Sequence, residues 1–396
     1  MAAPFRDLRP MTSSQDQFDA RRRARLRRRR VRRLLGIGFV AVAAVVAAAA
    51  VLADDGKHGS PATTSPAAIP AVTTSPPPPP SARRGRLGSG EPVRLAFGGD
   101  VHFESPIRER LSASPKSVLA PVTPVLRRAD IAMVNLETAV TDRGEPAVKA
   151  YTFRAPRSAF AALRAGGVDV VTAANNHGMD YGTEGLRDTL AAARRAHVPM
   201  VGAGWNDRQA YKPFRTEVRG QRIAIIGATQ VLDANLITAW TAAPAKMGLA
   251  SAKDEPRLLR AVREARRSSD TVVVYLHWGL ELSGCPTGSQ TALARRLVAA
   301  GADVVVGSHA HVLLGAGRLG KAVVAYGLGN FVFYATREVA MQSGVLEVTV
   351  TGRRVDGFRW VPARISGGLP RLLSGADAGR ARASWRALRS CTNLRG

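Results

Sequence analysis

Five of the seven histidines fall in four short blocks that also carry other oxygen or nitrogen donors. The blocks are Gly99-Asp100-Val101-His102, Asn175-Asn176-His177, His277-Trp278-Gly279 and His309-Ala310-His311, and Asn135-Leu136-Glu137 adds a carboxylate of similar character. In extended backbone, residues i and i+2 point to one side. Asp100 with His102, Asn135 with Glu137, and His309 with His311 can therefore each present two donors to one point. Neutral imidazoles, carboxylates and an amide oxygen together suit borderline and hard divalent ions such as manganese, iron or zinc. Two nearby cations would polarise a substrate oxygen and acidify bound water, so the chemistry expected is metal-assisted hydrolysis. Taken singly, most blocks have plainer readings. A lone histidine at a strand end usually packs, and Asp180 reads as a helix cap. Glu281 is set aside as a ligand.

The blocks gain weight from where they stand. Each follows an apolar run that reads as a buried strand: VRLAF before Asp100, IAMV before Asn135, VDVVTAA before Asn175, TVVVYL before His277 and ADVVVG before His309. Open α/β sheets build their sites at the carboxyl ends of strands. Helical stretches alternate with these strands over residues 117–129, 157–166, 184–196, 256–267 and 290–300, which predicts a layered α/β core. The later chain is strand-rich, with a hairpin expected in VLEVTVTGRRVDGFRWVPARI, and a last helix over residues 377–389. No Ser-His-Asp order, P-loop or G-x-S-x-G elbow competes with the metal reading, and no catalytic framework surrounds Cys285.

The net charge of +27 is unevenly placed. Ten arginines between Arg21 and Arg33 precede Leu34 to Ala53, twenty residues without a charge. About 20 apolar residues span a bilayer as a helix, and an adjoining basic cluster stays in the cytoplasm. The expectation is a cytoplasmic tail (1–33), a single membrane helix acting as signal anchor (34–53) and an extracytoplasmic remainder. Val51-Leu52-Ala53 also fits a cleavage site, though the segment is long for a signal peptide. The apolar span argues against a nucleic-acid arm. Residues 54–91, rich in Pro, Ser and Thr, read as an extended linker. Cys285 and Cys391 could be buried thiols; outside the membrane they could form a disulfide, stapling the tail (367–396) to the domain (92–366).

The series GGDVHF, VNLET, AANNHGMDYG, LHWGLE, GADVVVGSHAHV and YGLGNFVF resembles the capsule-synthesis family named for the poly-γ-glutamate capsule protein CapA, over about Val93 to Ile365. That family is similar in fold to the calcineurin-like metallophosphoesterases. The resemblance implies a four-layer α/β/β/α sandwich, two divalent ions between the sheets, and a membrane-held role in making, exporting or attaching a surface polymer. It implies metal ligation by Asp100, His102, Glu137, Asn176, His277, His309 and His311. Glu137 stands in for a bridging aspartate, and Asn176 with His177 form the catalytic pair, His177 as general acid. Two features depart from the pattern: the second block lacks Gly-Asp-x-x-Asp, and Ser308 replaces a histidine common in the family. Implied partners are an anionic polymer or its precursors, the membrane and other synthesis or export subunits, with no nucleic acid. A polymer-binding or assembly subunit without catalysis, or a simple phosphoesterase, are the alternatives.

Overall fold

A computed structural model describes residues 85–396. The expected basic tail, membrane helix and most of the linker lie outside the described residues. Among the described residues, no helix is long and apolar enough to cross a membrane.

Two sheets make the framework. The first contains β1 (Val93–Val101), β2 (Ile131–Leu136), β3 (Val170–Thr172) and β4 (Met200–Val201). The second contains β5 (Phe214–Val218), β6 (Gln221–Thr229), β7 (Thr271–His277), β8 (Val304–Ser308), β9 (Ala316–Leu319) and β10 (Ala322–Ala325). The chain then returns to the first sheet as β11 (Asn330–Val332), β12 (Gln342–Thr351), β13 (Arg354–Ser366) and β14 (Leu369–Leu372). The first sheet runs β14-β13-β12-β1-β2-β3-β4, with β11 parallel to the end of β1. The second runs β9-β10-β8-β7-β6-β5.

Both faces of the central strands are buried, which explains their near-continuous apolar runs. Leu95, Phe97, Ile131 and Met133 of the first sheet pack against Ile223, Ile225, Val273 and Tyr275 of the second. The outer face of the first sheet, with Ala132 and Val134, is covered by Phe160 and Leu163 of α1 (Ser158–Gly166) and Ala192 and Ala193 of α2 (Gly182–Arg195). The outer face of the second meets α3 (Glu255–Ser268) and α4 (Gly288–Ala300). In α3 only Leu258, Val262 and Ala265 are buried, a stripe at helical spacing on a helix otherwise dominated by charge. Asp254 caps its first turn, and Thr287 with Gln290 forms a capping box on α4. The layers therefore run helix, sheet, sheet, helix.

The expected hairpin is β12 and β13. The helix expected over residues 117–129 is not formed as one unit: a 3-10 turn at Pro115–Ser117 is followed by a short helix at Thr123–Leu126. Pro121 and Pro124 supply no backbone N–H and oppose a continuous helix there.

Residues 367–396 pack into the domain. Leu369–Leu372 extends the first sheet, and Trp385 of α5 (Gly375–Ala387) stacks on Trp360 at 5.3 Å between ring centroids. Cys285 and Cys391 form a disulfide with Cα atoms 5.8 Å apart, closing a separation of 106 residues. Closing a loop of that size restricts the unfolded chain by up to about 5 kcal/mol in the chain-entropy view. Cys285→Ser with Cys391→Ser should therefore lower unfolding stability by about 2–5 kcal/mol in urea titrations. A loss below about 1 kcal/mol would show that the tail docks without its covalent tie.

Candidate metal centre

The donor blocks lie where the strands end. Asp100 is within β1, Asn135 within β2, and His277 and Ser308 are the last residues of β7 and β8. His102, Glu137, His309 and His311 follow immediately, and Asn175, Asn176 and His177 occupy the turn after β3. β1 reaches this position through a tight contact at Gly99, where a Cβ would fall 1.9 Å from the carbonyl oxygen of Gly329. That approach lets Asp100 N–H donate to the Gly329 carbonyl at 3.0 Å and sets Asp100 level with Asn330 of β11.

Glu137 is central and fully buried, and neither carboxylate oxygen has a hydrogen-bond partner. Its Oε1 lies 3.7 Å from His277 Nε2, and 3.9 Å from both His177 Nε2 and His311 Nε2. His309 Nδ1 is a further buried polar atom without a partner. Burial and the adjacent Asp100 charge push the Glu137 carboxyl well above its ordinary range. A proton shared with Asp100 is the hydrogen bond open to Glu137; once both carboxylates are ionised, its oxygens have none.

The surrounding side chains are held by their rear atoms. Asp100 accepts from Asn135 Nδ2 at 2.7 Å and from the His309 N–H at 3.1 Å. Burial works against its charge, but His311 and these donors keep its carboxyl low. His311 Nδ1 meets Asn330 Oδ1 at 2.9 Å, leaving Nε2 toward Glu137. Burial alone would lower His311, but the Asp100 hydrogen bond and charge raise it. His277 Nδ1 lies 3.2 Å from Ser308 Oγ and 3.1 Å from Asn135 Nδ2, and Nε2 lies 2.7 Å from Asn176 Oδ1. Burial, followed by the neighbouring histidines, depresses His277 well below its ordinary value and His309 to about 3. Both rings are therefore neutral near pH 7, the form that ligates metals.

His177 Nδ1 meets Asp180 Oδ2 at 2.6 Å, and its ring stacks on Phe153 with centroids 4.0 Å apart. Asp180 thus orients His177 rather than capping α2, whose N-cap position is Tyr181 and lacks a side-chain cap. Lys149, nearly buried, joins Asp180 at 3.1 Å and Asp233 at 3.2 Å and donates to the Asn176 carbonyl. His102 is turned elsewhere. Its Nδ1 faces the Glu104 N–H at 3.0 Å and its Nε2 the Tyr334 N–H at 3.3 Å, and its ring stacks on Phe153. A neutral imidazole has one acceptor nitrogen, so only one of those amides donates to the ring at a time.

Three ligand groups converge within the described residues: Asp100, Glu137 and His311; Glu137, His277 and His309; and Glu281, His309 and His311. Asn176 reaches the second through His277, whereas His102 enters none. Sequence reasoning overlooked Lys149 and Asn330 and set aside Asp180 and Glu281. Asn330 had a signal, lying in YGLGNFVF; Lys149 had none, because its partners are remote in sequence.

A family model described as bacterial capsule synthesis protein PGA_cap matches residues 94–335. PGA biosynthesis protein CapA of Bacillus subtilis (strain 168) is 32% identical over 283 residues, covering 67% of this chain and 70% of that protein. Capsule biosynthesis protein CapA of Bacillus anthracis is 29% identical over 291 residues, covering 72% and 71%. Among solved structures, a hypothetical protein from Thermus thermophilus gives a TM-score of 0.44 at 19% identity, covering 69% of this chain and 100% of that one. The sulfate thiohydrolase SoxB from the same species gives 0.42 at 15%, covering 75% and 60%. The structural likenesses are distant, and the assignment rests on the sequence matches: the chain belongs to the bacterial capsule synthesis protein family, PGA_cap.

Proposed function

We propose that this protein is a metal-dependent hydrolase or transferase acting on an anionic surface polymer of the poly-γ-glutamate type, held outside the cell membrane by its N-terminal segment. The observation that carries this reading is the pair of unpartnered Glu137 oxygens and the unpartnered His309 Nδ1, buried amid Asp100, His277 and His311. An uncompensated buried charge costs several kcal/mol, and a cation removes that cost while using these atoms as donors. Family membership supports the polymer, and residues 85–396 carry 42 Lys and Arg against 25 Asp and Glu, which suits a polyanion.

The donor set fits two divalent ions sharing Glu137. Asp100 and His311 would complete one position, and His277 and His309 the other, with Asn176 beside it. Nitrogen and oxygen donors point to manganese, iron or zinc. His102 would join only by leaving its backbone amides. Bound ions would supply Lewis acidity toward a substrate oxygen and a more acidic water. His277 Nδ1 accepts from Asn135 Nδ2, so its Nε2–H faces Asn176 Oδ1 and would give up that proton on ligating a cation, whereas Asn330 Oδ1 can accept from His311 Nδ1–H, which leaves that Nε2 lone pair facing inward. Asp180 accepts from His177 Nδ1–H in the same way and aims Nε2 into the centre. When Nε2 is protonated as well, His177 is placed to give that proton to the leaving group.

Mn2+ at a hundred times its dissociation constant should stabilise the full chain by about 2.7 kcal/mol. Glu137→Gln removes the desolvated charge, so the chelated variant should melt no lower than chelated wild type while losing the Mn2+ increment. Differential scanning calorimetry with and without chelator reads both. A variant that keeps the increment would contradict Glu137 as a ligand.

With Mn2+ and poly-γ-glutamate, the wild-type chain should cleave or transfer amide bonds, followed by chromatography of polymer length. His177→Gln should slow this about 10²–10⁴-fold, and Asp100→Ala or His309→Ala should abolish it. Polymer binding that survives all three changes, with no turnover by wild type, would instead support an assembly subunit.

A further inference from the structure

We infer that Glu281 is an additional ligand, supplying a carboxylate oxygen to a divalent cation at the solvent side of His309 and His311. The inference rests on the metal reading above and extends it to a residue inside the LHWGLE motif that the sequence analysis set aside as a ligand.

The loop after β7 is built to bring residue 281 back over the site. Trp278 is buried, its indole N–H donating to the Tyr326 carbonyl at 2.9 Å and its backbone N–H to the Ser308 carbonyl at 3.1 Å. Gly279 then turns the chain at φ +98°, where a Cβ would fall 2.8 Å from the Gln290 amide nitrogen. Directly after Glu281, the Leu282 N–H donates to the carbonyl of Ala310 at 2.8 Å. Ala310 is the residue between the two histidines, so the loop is fastened directly to their turn. Further along, Cys285 is bonded to Cys391. Glu281 is thus held between a hydrogen bond on one side and a buried tryptophan on the other.

The histidines are aimed by unusual backbone. His309 has φ 97°, His311 φ 57° and Leu282 φ 59°. Left-handed non-glycine residues cost on the order of 1–3 kcal/mol each and persist where surrounding contacts enforce them. Here they bring a Glu281 oxygen and one nitrogen of each histidine within 4.8 Å of one another. An exposed carboxylate beside two imidazoles is by itself an ordinary surface arrangement. What distinguishes this one is His309, 5% exposed, whose Nδ1 is buried without any partner. The negative charge of Glu281 is also felt at both His311 and Glu137. A cation on this edge would meet an exposed, exchangeable oxygen donor, unlike the enclosed Asp100 and Glu137.

The test is Mn2+ binding to the chelator-stripped full chain, measured by calorimetric titration and by the electron paramagnetic resonance of free Mn2+. Glu281→Gln should weaken the more weakly held Mn2+ by about tenfold or more, with Glu281→Asp intermediate, while the tighter ion is unchanged. Chelated Glu281→Gln should melt with chelated wild type, since the side chain is exposed. Wild-type binding of Mn2+ with an identical Glu281→Gln titration would overturn the Glu281 assignment alone. A wild-type chain that takes up no Mn2+ would overturn the metal reading of the whole cluster, and Glu281 with it.

Discussion

The site is organised around one unfavourable fact: Glu137 places a carboxylate in the interior with no hydrogen-bond donor on either oxygen. A protein gains nothing in folding from such a group, and burial with Asp100 nearby opposes its ionisation. Its neighbours do not relieve it. Asn135, which could donate, spends its amide on Asp100 and His277. Asn175 turns its own amide to Asn135 and to the Leu136 carbonyl. The polar network therefore ends at Glu137 and leaves it open toward His277, His309 and His311. On the metal reading proposed above, a cation is the partner that would fit this opening.

The rest of the fold keeps that centre rigid. Donors from β1 and β2 face donors from β7 and β8 because the two sheets pack through an apolar interior that includes Phe97, Met133, Val273 and Tyr275. Tyr275 also reaches across, its hydroxyl donating to the Gly98 carbonyl at 2.8 Å. This ties the second sheet to the turn that presents Asp100. Behind each of three site histidines stands a polar side chain at its Nδ1: Ser308 for His277, Asn330 for His311, Asp180 for His177. Such outer contacts keep ligands in place before a metal or substrate arrives.

Much of this was legible in the sequence, and for a physical reason. A buried strand that ends in a donor block carries its signal within ten residues, so the strands before Asp100, Asn135, His277 and His309 could be read locally. The helices with one apolar stripe, such as α3, could be read as well. The helix expected over residues 117–129 failed because hydrophobic spacing outweighed the two prolines in the reading but not in the chain. Lys149 and Asn330 act through partners that only the folded chain brings near, and Asp180 sits in a position that a cap and a histidine-orienting residue would occupy equally well. His102 looked like a ligand by spacing, yet the first coil after β1 turns its ring onto Phe153 and two backbone amides.

The most direct test of a metal held by Glu137 is anomalous X-ray scattering from crystals of the protein soaked in Mn2+. Peaks are expected within coordination distance of both sides of the Glu137 carboxylate, one shared with Asp100 and His311 and the other with His277 and His309. A well-ordered Glu137 with no anomalous peak beside it, in crystals that bind Mn2+ elsewhere, would contradict that expectation.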